Sequence, residues 1–337
     1  MTSSDIEKTL ITPSAALIED IRKVEGDFMV LGAGGKMGPD LCRMLKNAVD
    51  AAGHSGKVIA VSRFSNPDHR ETLAGFGIET IACDLMEGKD LQRLPKVENI
   101  IYMVGHKFGT QGNQATTWAL NAYLPGRVAE TFREARIVAF STGNVYPFYP
   151  VDSKGPAEQD PTGPVGEYAQ SALGRERVLE YFSRKYDIPM VIIRLNYAVE
   201  VKYGVLLDIA RAVYEERPID LRMGYVNVIW QGDAIDMSLR ALRHATSPPR
   251  VLNVTGPGVL SVRSLAEAFG GRFGKEVTFQ NTEENTALLS DARYACRLFG
   301  VPATGLDTML DYVTQWVSSG GRVLEKPTHF QERKGAF

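Results

Sequence analysis

Cysteine is scarce in this chain. Cys42, Cys83 and Cys296 are the three present, and they are widely separated, with no metal-type pairing. An odd number at such spacing offers neither a disulfide framework nor a zinc motif, and it points to free thiols in a reducing compartment. A surplus of either charge is missing too: 38 Lys and Arg stand against 40 Asp and Glu, a net charge of −2. That removes the basic footprint of a nucleic-acid binder. No apolar run approaches the ~20 residues that span a bilayer. The opening stretch MTSSDIEKTLITPSAALIEDIRK has neither a basic start nor an apolar core, so it does not read as a secretory signal. The expectation is a cytoplasmic protein that binds neither membrane nor nucleic acid. Internal repeats and low-complexity segments are also lacking.

What is present is a large globular composition, 337 residues with 44% hydrophobic and 23% charged. That suffices for a sizeable core in one large or two closely joined domains. Residues 1–26 read as an extension with a short helix over 14–24. Apolar runs then follow in DFMVL, KVIAVSR, IETIACD, NIIYMVG, RIVAFST and PMVIIRLN. Most lack polar alternation, as strands buried on both faces do. Helical stretches, notably 115–134 and 166–186, separate most of them. This alternation predicts an α/β fold: a Rossmann-type, doubly wound parallel sheet over 27–195. After residue 196 the pattern changes to helices at 204–216, 232–244 and 261–270, with short runs VNVIW and VLNVTG between them. Residues 196–320 are expected to form mainly a smaller C-terminal substrate lobe, with one of these runs rejoining the sheet. The polar tail 321–337 has no period and is expected to wrap the surface or move.

The run GAGGKMG places glycines at 32, 34, 35 and 38 between a strand and a helix. That context turns a weak glycine motif into a dinucleotide-binding prediction. Gly32 permits the tight turn, Gly35 lets the backbone approach a pyrophosphate, and Gly38 allows close helix packing. The helix N-terminus beyond them presents free N–H groups and a positive dipole end. The second strand ends in Ser62 and Arg63, where an acidic residue would hold a free ribose. A hydroxyl and a guanidinium suit a 2′-phosphate better, so NADP is expected and NAD is the alternative. Asp84 and Leu85, past the third strand, are placed to meet the adenine.

From about residue 27 to 320 the chain resembles the extended short-chain dehydrogenase/reductases of the NAD-dependent epimerase/dehydratase family. The likeness rests on ordered pieces: GAGGKMG, CDL, LNAYLPG, FSTGNVYPF, EYAQSALGRE, VIIRLNYAV and VLNVTGPGVLSVRSLAEAF. The resemblance implies Tyr168 as general acid/base, Thr142 as the hydroxyl on the substrate oxygen, and Asn121 as the helix asparagine. It implies Lys36, Met37, Val104, Gly105 and Tyr168 beside the glycines in the cofactor site. His106, Thr142, Asn144, Asn196 and Lys202 are the substrate candidates. A homodimer packed through 115–134 and 166–186 is implied as well.

The chain departs from the family in two places. The family has a lysine four residues after its tyrosine; this chain has Ala172. A tyrosine with a reference pKa of about 10 needs a nearby cation to work as a base near neutrality. Arg175 lies on roughly the same face, about 10 Å further along the axis. It can help electrostatically but does not carry protons. Lys107, after the fourth strand, and Lys202, after the sixth, are replacement candidates at the ligand-binding edge. His106 is a further acid/base candidate. The second departure is in GYVNVIWQGDAIDM, where Val226 and Trp230 stand in place of the family's arginine and histidine, while Asp233 is kept. Without that cation a sugar-nucleotide diphosphate loses its partner, so a smaller polar substrate becomes at least as good a fit.

Three functions follow. The first is an NAD(P)-dependent oxidoreductase or epimerase acting on a carbonyl or hydroxyl carbon of a small carbohydrate-like or hydroxy/keto acid. The second is a non-catalytic NADP(H) sensor or scaffold. The third is a dehydratase or lyase whose cofactor cycles internally or is structural. Fold alone does not choose between them.

Overall fold

The computed structural model describes residues 2–107, 112–324 and 328–335. Seven strands form one parallel sheet: β1 (Phe28–Leu31), β2 (Val58–Ser62), β3 (Glu79–Ala82), β4 (Asn99–Tyr102), β5 (Arg136–Thr142), β6 (Met190–Leu195) and β7 (Arg250–Val254). Their order, β7-β6-β5-β4-β1-β2-β3, reverses direction between β1 and β4. Ligands bind at such a switch point in open α/β sheets. The apolar runs become strands because both faces are covered. Phe28, Val30, Ala60 and Ile101 pack with Leu41 and Leu45 of the helix Gly38–Ala51. Their neighbours Met29, Leu31, Val61 and Ile100 pack with Leu124, Val128 and Leu179 on the other side. This is the period-2 alternation of strand side chains. Edge strand β3 is only half covered, which is why it reads less apolar.

The run VLNVTG rejoins the sheet as edge strand β7, paired with β6. VNVIW does not. Its Ile229–Trp230 pairs with Ala198–Val199 in a separate two-stranded piece. The expected helices form at Val205–Tyr214, Gln231–Arg240 and Val262–Phe273, and a further one covers Leu306–Ser318. The first, third and fourth of these enclose a second core containing Leu206, Ile209, Val226, Trp230, Phe269 and Val313, while Gln231–Arg240 buries Ala234, Ile235 and Leu239 in the sheet core.

The N-terminal segment has two helices, Ser3–Thr9 and Ala15–Arg22, rather than one. Thr2 and Asp5 close a capping box on the first, and the Ser14 hydroxyl caps the second. Ile6 and Leu10 enter the lobe core, while Leu17 and Ile21 enter the sheet core. The segment therefore ties the two halves together. The Trp230 indole N–H donates to the Thr9 hydroxyl at 3.0 Å, so this tryptophan is a buried core residue and not a ligand contact.

Candidate active site

The glycine turn joins β1 to the helix Gly38–Ala51. Gly32 sits at φ +93°, where a side chain would be strained, and a Cβ there would stand 2.9 Å from the Val104 backbone nitrogen. A Cβ on Gly38 would collide with the Ala33 carbonyl, which fixes how closely the helix start packs. A Cβ on Gly34 would come within 2.5 Å of the Ser62 hydroxyl, so the turn lies directly on the end of β2. Gly35 is exposed and its backbone faces the cleft. Arg63 is exposed at the tip of β2, and Asp84 forms an Asx turn by accepting from the Met86 N–H at 3.0 Å. Leu85 is buried in the sheet core.

A cleft of about 290 Å³ opens beside the turn. Gly32, Gly35, Lys36, Met37 and Gly38 line one end, and Thr142, Asn144, Tyr168 and Asn196 line the other. Thr142 ends β5, and Tyr168 stands in the first turn of the long helix Gly166–Tyr186. Both side chains line the cleft, and the Thr142 hydroxyl faces the Tyr168 phenol. The Thr142 hydroxyl also accepts from the Asn144 backbone and side-chain N–H groups at 3.2 and 3.0 Å. Its own hydrogen is thereby left to donate toward Tyr168 or a substrate oxygen. Burial pushes the Tyr168 phenol above its ordinary value, while the Arg175 charge and the Thr142 hydroxyl pull it back.

Ala172 is buried and packs on Val145 and Tyr146, leaving no cation at that position. Arg175 reaches the cleft instead. Its guanidinium donates to the Asn121 carbonyl (3.2 Å), the Asn121 side-chain oxygen (3.0 Å) and the Phe140 carbonyl (2.6 Å). Asn121 lies in a π-helical turn, Ala119–Tyr123, which offsets its carbonyl from the regular helical ladder. Its side chain also accepts from the His106 N–H (2.7 Å) and donates to the His106 carbonyl and the Ser171 hydroxyl (both 2.9 Å). Asn121 and Arg175 thus staple the ends of β4 and β5 to two helices.

Lys107 lines the cleft, its ammonium 5.8 Å from the centre of the Tyr168 ring. Burial pushes Lys107 down to about 8. Lys36 lies 3.5 Å above the Tyr203 ring. Burial lowers Lys36 and raises the buried Glu200 carboxyl that faces it.

Two expected substrate residues are not brought to the cleft. Lys202 pairs with Glu7 of the N-terminal helix and lines a separate cavity of about 480 Å³. The His106 ring is held 3.1 Å from the Thr117 hydroxyl and does not line the cleft. Asp233, the retained family aspartate, accepts from the Thr304 N–H at 2.9 Å, a structural tie.

Several cleft residues gave no readable signal in the sequence. Tyr197 lines the cleft at φ +41°, an uncommon backbone state for an aromatic residue. Tyr203 and Thr328 complete the wall. Beneath the site, Arg194 and Glu176 form a buried ion pair at 2.7 Å. Ser141 donates to Glu176 at 2.5 Å, and Arg194 donates to the Tyr146 hydroxyl at 2.7 Å. The signal for this network was an arginine inside the apolar run VIIRLN. Among the described residues, no group of His, Cys, Asp or Glu could hold a metal, and no helix is long and apolar enough to cross a membrane.

Solved structures share this architecture. A mutant UDP-glucuronic acid 4-epimerase from Bacillus cereus, in complex with UDP-4-deoxy-4-fluoro-glucuronic acid and NAD, matches at a TM-score of 0.73 and 16% identity, covering 87% of this chain and 99% of that one. The dTDP-glucose 4,6-dehydratase DesIV from Streptomyces venezuelae, with NAD and TYD bound, matches at 0.72 and 18%, covering 87% and 97%. An epimerase from Methanothermobacter thermautotrophicus matches at 0.70 and 18%, covering 91% and 96%. No curated protein matches in sequence. The model of the NAD dependent epimerase/dehydratase family matches residues 28–255, from β1 through β7. The chain belongs to that family.

Proposed function

We propose that this protein is a nicotinamide-dinucleotide-dependent oxidoreductase or epimerase acting on a carbonyl or hydroxyl carbon of a small carbohydrate-like or hydroxy/keto acid substrate. The observation that carries this reading is that Tyr168 and Thr142 line the same cleft that the glycine turn opens. The turn fits a dinucleotide because its glycines leave backbone where side chains would stand. Gly32, Gly34, Gly35, Lys36, Met37 and Gly38 would hold the pyrophosphate at the helix N-terminus. Ser62, Arg63, Asp84 and Leu85 would hold the adenosine end, and Val104 and Gly105 the path toward the nicotinamide. The Arg63 guanidinium supports NADP; NAD is the alternative, and it is the form bound to the solved relatives.

When bound, the nicotinamide supplies the hydride acceptor or donor. Tyr168 moves the proton at the substrate oxygen, and Thr142 holds that oxygen by donating its hydroxyl hydrogen. Arg175 supplies fixed positive charge that eases Tyr168 ionisation, and Lys107 supplies a second cation beside the Tyr168 ring. Together they stand in for the lysine that Ala172 replaces. Asn144 and Asn196 would orient the substrate's remaining hydroxyls. Exposed Trp118, Tyr123 and Tyr181, on the two helical stretches expected to pair, support a homodimer.

The test is a fluorescence titration with NADPH and NADH, followed by a panel of sugars, sugar acids and keto acids. Oxidation of the bound cofactor by one panel member, lost in Tyr168→Phe, is expected. Undiminished turnover in that variant would remove Tyr168 from the chemistry. The raised Tyr168 phenol favours one competing reading, a dinucleotide sensor, which predicts tight binding and no turnover with any substrate. A dehydratase would consume its substrate while nicotinamide absorbance stays flat.

A further inference from the structure

The polar tail is docked on the protein. Thr328 lines the cleft and is clamped to Asp208, whose carboxylate accepts from the Thr328 N–H at 3.0 Å and from its hydroxyl at 2.5 Å. Phe330 is buried in the lobe core. Arg333 donates to the Thr286 carbonyl and hydroxyl at 2.9 and 2.6 Å, and its guanidinium lies 4.3 Å from the Phe148 ring centre. Gly335 rests on Val165 and Gly166, at the start of the helix that carries Tyr168. A Cβ on Gly166 would stand 2.5 Å from the Gly335 carbonyl oxygen. The segment therefore runs from the lobe to the helix of the candidate acid/base, with Thr328 in the cleft lining and Glu332 and Gly335 beside the cleft residue Asn144.

The segment leaves little room beside Asn144 and borders open space elsewhere. Between Asn144 and the tail residues Glu332 and Gly335 the gap is about 10 Å³, roughly what a single water needs. The 480 Å³ cavity is lined by His329, Phe330 and Gln331 with Arg211, Arg217 and Arg222. Thr328 stands in the lining of the cleft, and the three residues after it stand in the lining of this cavity. The cleft's 290 Å³ is near the lower limit of about 300 Å³ for ligand pockets. It must also admit the nicotinamide end of the cofactor.

We propose that residues 328–335 form the substrate-side wall of the cleft and restrict it to compact substrates, excluding nucleotide-linked sugars. This rests on the reading of the cleft as the substrate site. The wall is a specificity element: its residues touch the space a second, bulky substrate half would need. With the tail lifted, the cleft and the cavity beside it would join, and a nucleotide-linked substrate would gain room.

Two full-length variants loosen the wall differently. Thr328→Ala/Arg333→Ala removes both polar clamps. Gly335→Val adds a side chain at φ +75° that collides with the Val165 carbonyl. Hydrogen–deuterium exchange of the 328–335 amides reports whether the tail is freed. Calorimetric titration with UDP-glucuronic acid reports access. The parent is expected to bind this probe more weakly than about 1 mM, and the freed variants at least about tenfold more tightly. Tight binding by the parent overturns the proposal, as does a freed tail with no gain. Unchanged exchange in both variants overturns the contacts on which the wall rests. Dinucleotide binding is measured separately on the same samples. Its loss would strike the functional reading and leave the probe result interpretable.

Discussion

The two ends of one cleft are built in opposite ways. The cofactor end is made of backbone: a strand, a glycine turn and a helix start, in which Gly32 and Gly38 matter because they carry no side chain. The substrate end is made of side chains gathered from distant segments: Lys107 after β4, Thr142 on β5, Tyr168 on a helix, Tyr203 in the lobe and Thr328 in the tail. A backbone site is written in a short contiguous string and tolerates little change. A gathered site can lose one member and recruit another, which is the role proposed above for Arg175 and Lys107 beside Ala172. The comparison teaches that family membership speaks firmly for the first end and weakly for the second.

The sharpest way to separate the ends is Tyr168→Phe. Turnover is expected to fall by about 10²–10⁴, the usual contribution of a general acid/base, with dinucleotide affinity unchanged in the fluorescence titration. Next comes the ion pair under the substrate end. Glu176→Ala leaves Arg194 buried without its carboxylate, which should cost about 3–5 kcal/mol in urea denaturation. Replacing both residues with methionine should recover much of that loss, because the uncompensated charge is gone. Lys107→Met is expected to lower kcat by about tenfold to a hundredfold, the worth of one charge-assisted contact of about 1.5–3 kcal/mol.

The pH profile sharpens the Lys107 assignment. Its folded-state value is lowered to about 8, so the cation is present below that pH and lost above it. Rate should therefore decline through a limb near pH 8. In Lys107→Arg, which stays charged, that limb should disappear. A limb that persists in the arginine variant assigns the titration to another group. The smallest expected effect is Ala172→Lys. Restoring the family residue should overpack Val145 and Tyr146, at about 1–3 kcal/mol in thermal denaturation, without raising the rate.

The same contrast explains what was legible in the sequence. The sheet could be read because strands buried on both faces must be continuously apolar, and the glycine turn could be read because its spacing is itself the geometry. Tyr168 and Thr142 could be named because FSTGNVYPF and EYAQSALGRE resemble family segments, and with Asn144 and Asn196 they line the cleft. Lys202 could not be read correctly. It follows β6 much as Lys107 follows β4, and only folding reveals that Glu7, from the far end of the chain, takes its charge. The tail was equally opaque. Its buried aromatic, Phe330, stands in a polar string, and an isolated anchor has no period. The helix Leu306–Ser318 and the role of the first helix escaped for a related reason: what stabilises them is a core assembled from segments far apart in sequence, Ile6 with Val205 and Trp230, Met309 and Val313 with Ile209 and Phe269.

The most direct test of the central claim, that the glycine turn and the Tyr168–Thr142 pair serve one reaction, is a single paired experiment. The parent and Tyr168→Phe are titrated with NADPH and NADH, then offered the compact-substrate panel while reduced-nicotinamide absorbance is followed. The account predicts equal binding of one dinucleotide by both proteins and an absorbance change in the parent alone. Failure of both proteins to bind either dinucleotide would contradict it, as would equal turnover in the two.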